Sequence, residues 1–163
     1  MNIIIFEDLN TDNLNPFSIN HASFEMKCGL YTNLERIVNN FNEDLNIHLV
    51  VRDELKELIQ ERFPQYKVNP NEIHKGICLN GAVVWDDKLI KKVMQDSDSS
   101  FSSSGNIIAF KNNINSQNIR NILNQKLNKS IEVNANYISY IWECIDLFKS
   151  IIVIDIKNLD NKS

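Results

Sequence analysis

The sequence predicts an α/β domain built on an open, mostly parallel sheet, on three observations. The runs Ile3-Ile4-Ile5-Phe6 and Ile47-His48-Leu49-Val50-Val51 are short, continuous and β-branched, as suits strands buried on both faces. Apolar residues at helical spacing separate and follow them. The resulting order, β-loop-α-β-α, is that of crossover-connected parallel strands. At 163 residues, 43% of them apolar and 23% charged, the chain is the size of one domain with a real core.

Asn2–Phe6 opens as a strand and ends in the acidic pair Glu7-Asp8, before an Asn-rich loop, 9–15, and Pro16. A helix is expected where Leu30, Leu34, Ile37, Val38 and Phe41 recur. After the second strand, Asp53 is placed to cap a helix whose apolar face is Leu55, Leu58, Ile59 and Phe63, closed by Pro64. Gly76 to Trp85 reads as one strand, or as two joined at Asn80-Gly81. Asp86 or Asp87 caps a short helix through Leu89, Ile90, Val93 and Met94. The Ser/Asp-rich stretch at about 95–105 has little apolar content and reads as a mobile loop, a lid or a surface insertion. Gly105 to Lys111 restores a strand. Ser116 starts a helix bearing Ile119, Ile122, Leu123 and Leu127, and Ile138, Ile141, Trp142, Ile145 and Phe148 predict a last one. The domain is expected to occupy 1–156, with 157–163 a frayed tail.

Lys and Arg number 17 against 21 Asp and Glu, a net charge of −4 with no basic stripe, which argues against nucleic acid as a partner. No apolar run nears the roughly 20 residues that span a bilayer. Cys28, Cys78 and Cys144 are sparse, odd in number and not at zinc-site spacing, which predicts reduced thiols and a cytoplasmic protein. Four glycines are too few and too scattered for a Gly-rich phosphate loop.

Ligands of open α/β sheets bind outside the carboxyl ends of the strands. That rule selects Glu7 and Asp8, Arg52 and Asp53, and Asn80-Gly81 with Asp86 and Asp87; carboxylates on one rim suit a hard cation such as Mg²⁺, and each also suits a cap or turn. The segment 16–29 adds Ser18, His21, Ser23 and Lys27 before a helix, where Lys27 and free N–H groups could converge on an anion. No G-x-S-x-G places a nucleophile triad.

Taken together, Ile4-Ile5-Phe6-Glu7-Asp8, Asn13-Leu14-Asn15-Pro16-Phe17-Ser18, Met26-Lys27-Cys28-Gly29, Leu34-Glu35-Arg36-Ile37, Val51-Arg52-Asp53-Glu54-Leu55, Leu79-Asn80-Gly81 and Tyr140-Ile141-Trp142 with Asp155 resemble one family. It is the short sugar nucleotidyltransferase-like domain that stands before a left-handed β-helix acyltransferase, in relatives of the bifunctional N-acetylglucosamine-1-phosphate uridyltransferase/acetyltransferase. The resemblance implies a truncated glycosyltransferase-A-like nucleotidyltransferase fold. It also implies nucleotide and sugar phosphate as ligands, Mg²⁺ as cofactor, and a separate β-helix acyltransferase chain or a homo-oligomer as partner. Carried over, Glu7 to Leu14 is the phosphate loop, Pro16-Phe17-Ser18 matches Pro-Leu-Thr, His21-Ala22 stands for Arg-Pro, and Lys27 stands for Arg. Glu7, Asp8 and Lys27 become candidate catalytic groups, and Pro16, Ser18, His21, Arg52, Asn80 and Gly81 candidate nucleotide or sugar-phosphate contacts. The family's metal-binding Asp would follow Asn80-Gly81, where this chain has Ala82, so Asp86 or Asp87 must substitute as metal ligand. Two functions follow: a sugar 1-phosphate nucleotidyltransferase, or a catalytically degenerate domain that binds a nucleotide sugar or docks on an acyltransferase. A purely structural assembly domain is a third.

Overall fold

The computed structural model describes residues 1–41, 45–96, 99–112 and 130–160. Strand β1 (Asn2–Phe6) lies inside a seven-stranded sheet of order β10-β8-β9-β6-β1-β4-β5. It pairs in parallel with β4 (Asn46–Val50) and β6 (Gly76–Asn80), so Phe6 stands beside Val50 on one side and Asn80 on the other. β4 also pairs in parallel with β5 (Lys67–Val68). β9 (Asn106–Asn112) runs antiparallel to β6 and to β8 (Ser100–Ser103), and β10 (Ser130–Glu132) joins β8 in parallel. Ile3 to Phe6 are fully buried because they have ladder neighbours on both sides and apolar cover on both faces.

The strand period of two sorts this core. Ile3, Ile5, Leu49 and Leu79 face a large cluster with Leu34 and Ile37 of α1 (Asn33–Asn39), Ile59 of α2 (Lys56–Arg62) and Ile90 and Val93 of α3 (Asp87–Gln95). Ile4, Phe6, Val50, Cys78 and Phe110 form a smaller cluster on the other face. A third cluster, Leu14, Met26, Cys28, Val84, Ile138, Cys144 and Ile151, lies under α4 (Ile141–Asp160). Two short antiparallel pairs complete the fold: β2 (Lys27–Cys28) with β3 (Tyr31–Thr32), and β7 (Val83–Val84) with β11 (Asn136–Tyr137).

Helix starts follow local chemistry. Thr32 and Glu35 form a reciprocal capping box on α1, and Asp86 caps α3 by accepting the Leu89 N–H at 2.7 Å. Asp53 lies in the 3₁₀ turn Asp53–Leu55 that leads into α2, rather than at the helix cap.

Several expectations are corrected. Leu30 belongs to the turn between β2 and β3, not to α1. Ser100–Ser103 form a strand where the sequence predicts a mobile loop. Phe101 anchors that strand in the core, and the serine hydroxyls find partners: Ser102 Oγ lies 2.6 Å from a Glu132 oxygen, and Ser103 Oγ donates to the Ala135 carbonyl at 3.2 Å. Ladder bonds use backbone, so a serine run forms a strand once one aromatic is buried. Ser104 and Gly105, both at positive φ, make the hairpin turn to β9. The last helix begins only at Ile141 and is turned about 100° from its predicted face: Trp142, Ile145 and Phe148 are exposed, while Cys144, Ile151 and Asp155 point inward and Ile138 is buried ahead of it. It runs on to Asp160, through the start of the stretch expected to fray. The predicted helix at 116–127 lies outside the described residues.

Candidate functional site

The carboxyl ends of β1, β4 and β6 converge, with Gly81 donating its N–H to the Phe6 carbonyl at 2.9 Å and Glu7 donating to the Val50 carbonyl at 2.9 Å. Two polar clusters grow from this point, one from each acid of the Glu7-Asp8 pair.

Glu7 is buried. Its carboxylate accepts the Ser23 N–H at 3.1 Å, the Arg52 N–H at 3.1 Å and the Arg52 guanidinium at 2.8 Å. The same guanidinium donates to the carbonyls of Ser18 and His21. Arg62 does similar work nearby, donating to the Asn20 carbonyl at 2.8 Å and to both oxygens of Glu25. Two arginines thus brace the segment from Pro16 to Glu25, as a fork of donors suits carbonyl and carboxylate acceptors. Within it Pro16 leads into a 3₁₀ turn at Phe17–Ile19, Ser18 Oγ donates to Asn15 at 2.9 Å, and His21 stacks on Phe17 with centroids 4.7 Å apart.

Asp8 heads the second cluster. It accepts the Asn10 N–H at 2.8 Å, the Asn80 amide at 2.8 Å and the Tyr137 hydroxyl at 2.7 Å. Asn10 donates onward to Tyr137 and Asn106. Burial, and then the Asp8 charge, push the Tyr137 phenol far up, so it stays protonated and donates. Asn80 is fully buried; it also donates to the Ile107 carbonyl at 2.8 Å and accepts the Ala82 N–H at 2.8 Å. Beside it, a Cβ on Gly81 would lie 2.9 Å from both Phe24 Cβ and Ser23 Oγ, so the close approach of these segments requires glycine.

The structure therefore brings Glu7, Arg52, Ser18 and His21 together, and Asp8 with Asn80. Lys27 is exposed on β2, beside α4. The anion met by the neighbouring Leu30 N–H is the protein's own Asp155 carboxylate, at 2.9 Å. Asp87 pairs with Lys91 at 2.7 Å along α3, and Asp86 is the α3 cap. Among the described residues no three His, Cys, Asp or Glu side chains gather into a metal-holding group. The candidate ligands do not fit Mg²⁺ as a set: Glu7 is enclosed by donors, and Asp86 and Asp87 serve their own helix. Asn10 lies within the segment 7–14 read as the phosphate loop, whereas Asn106 and Tyr137 escaped sequence reading; their signal is tertiary, since Tyr137 reaches Asp8 across 129 positions.

The polar cluster lies at the carboxyl rim of an open α/β sheet, the edge at which such sheets bind their ligands. The model of the sugar nucleotidyl transferase family matches residues 3–163, and the chain belongs to that family. The match bears out the resemblance to a sugar nucleotidyltransferase-like domain, whose motifs run from Ile4 to Asp155, and says nothing of an acyltransferase. Comparison with curated proteins gave no match. Among the described residues no helix is long and apolar enough to cross a membrane.

Proposed function

We propose that this chain binds a nucleotide sugar, or its nucleotide and sugar phosphate components, at the rim formed by Asp8, Asn10, Asn80, Asn106 and Tyr137, and does not by itself transfer the nucleotidyl group. Family membership supports the ligand class. The observation that carries the second half is the occupation, among the described residues, of the charges beside the rim. Glu7 is enclosed by Arg52 and two backbone N–H groups, and Arg52 and Arg62 brace backbone carbonyls instead of facing the rim. Nucleotidyl transfer needs cations or a metal aimed at the charge that develops on the phosphates. The exposed Asn10 and half-buried Asn106 amides suit hydroxyls and base edges instead, while buried Asn80 and half-buried Tyr137 hold Asp8 in place behind them.

The second reading is the complete reaction, nucleoside triphosphate plus sugar 1-phosphate to nucleoside-diphosphate sugar plus pyrophosphate, with Mg²⁺. The family match favours it. Isothermal titration with nucleoside triphosphates, sugar 1-phosphates and nucleotide sugars, run beside a pyrophosphate-release assay with Mg²⁺, separates the two. Saturable binding weakened at least about tenfold by Asn10→Ala, without pyrophosphate, is the expected result. Pyrophosphate release abolished by Asp8→Asn would establish the transferase. A protein that binds none of these ligands and stays inert would remove both readings in favour of an assembly role.

A further inference from the structure

Most of the apolar residues of α4 that the core leaves outside gather on one side; of the exposed ones Val153 lies at the edge of that side, beside Trp142, and Ile154 lies off it, while Ile152 within it is half-buried. Trp142, Ile145, Lys149, Ile152, Ile156 and Leu159 follow one another at spacings of 3, 4, 3, 4 and 3. That is the heptad spacing of a helix–helix seam, with Lys149 as its single polar member. The stripe lies roughly 100° around the helix from the buried Cys144, Ile151 and Asp155, at 3.6 residues per turn. Ile145 is 74% exposed, Trp142 55%, Ile156 48% and Leu159 44%, with Phe148 exposed at its edge. At the amino-terminal end Tyr140 stacks flat on Trp142, centroids 4.5 Å apart, so a large aromatic is already held in place at the surface.

We propose that this stripe is the two-fold interface of a homodimer, in which α4 of one copy packs antiparallel against α4 of another. The spacing is a palindrome. With the axis between Lys149 and Ile152, position 142 meets 159, 145 meets 156 and 149 meets 152, so each seam residue faces a seam residue of the second copy. A closed two-fold interface requires this self-complementarity. Orientation follows from charge: parallel pairing in register would set Lys149 against Lys149, whereas antiparallel pairing sets its stem against Ile152 and leaves the ammonium at the rim. Area agrees. Weighted by fractional exposure, the stripe carries on the order of 500 Å² per copy, so pairing hides on the order of 1,000 Å², the lower bound for a specific interface.

Sedimentation velocity of the full chain over a concentration series tests this. Dimerisation at micromolar concentrations is expected, weakened at least about tenfold by Ile145→Glu with circular dichroism unchanged, and strengthened by Lys149→Leu. Mixing Ile145→Cys chains with Ile156→Cys chains under oxidation should yield the mixed disulfide dimer, the native cysteines being buried. A monomer at all concentrations, a dimer indifferent to both substitutions, or self-cross-linking of Ile145→Cys alone would overturn the proposal. So would a monomer that binds lipid vesicles through the same stripe.

Discussion

Arg36 and Asp155, 119 positions apart, meet in a buried bidentate ion pair, the two terminal guanidinium nitrogens each 2.7 Å from one carboxylate oxygen. The pair fastens α4 to α1 and to the β2–β3 hairpin, since Arg36 also donates to the Cys28 carbonyl and Asp155 accepts the Leu30 N–H. Gly29 sits in the angle, at φ +84°, where a Cβ would lie 2.4 Å from Asp155 Oδ2. Breaking such a pair strands a buried charge. Asp155→Ala should cost about 3–5 kcal/mol in urea unfolding, and Arg36→Met with Asp155→Leu should cost clearly less than the single change. Equal losses would mean that the charges are not coupled.

Asn80 offers a sharper test of the rim. Asn80→Asp removes its donors to Asp8 and Ile107 and sets two carboxylates where an amide now sits 2.8 Å from Asp8. A loss of about 2–4 kcal/mol is expected at neutral pH. One of the paired acids must then hold a proton, so the variant's deficit should shrink as pH falls through that raised value. A deficit independent of pH would show that the two side chains do not interact.

Phe101 tests the serine-rich strand. Truncation to alanine should cost about 3–5 kcal/mol, the range for a buried phenylalanine. Amide hydrogens of Phe101 and Ser102 should exchange slowly by mass spectrometry, whereas a solvent-exposed loop would exchange at once.

His48 predicts a pH dependence. It is buried on β4, its Nδ1 without a partner, and burial, then Lys67 and His74, hold its pKa below the ordinary 6.5. The unfolded chain therefore binds the proton more readily than the folded one. Stability is complete above about pH 6.5 and falls as pH drops from there toward the folded value, by at most about 1.4 kcal/mol per pH unit from this residue. His48→Leu should flatten that slope in denaturation curves taken across the acidic range; an unchanged slope would assign it to other groups.

Periodicity and composition determined much of this protein. Unbroken apolar runs became buried strands, Asp86 became a cap, and Asn80-Gly81 became the junction of two strands, because each depends on neighbours within a few residues. The family was legible too, from motifs spread along the chain. The rest needed the fold. Whether Glu7 or Arg52 is free for chemistry turns on who stands within 3 Å of it, and those partners lie 16 and 45 positions from Glu7. The apolar residues of α4 could be counted in advance, but not which of them face in. An inward Asp155 is tolerable only because Arg36 waits there, and turning Asp155 inward turns Ile145 and Ile156 out. Sequence set the helix and its hydrophobic content; the partners the fold supplies, Arg36 for Asp155 and Leu14, Met26 and Val84 for Cys144 and Ile151, set the buried face.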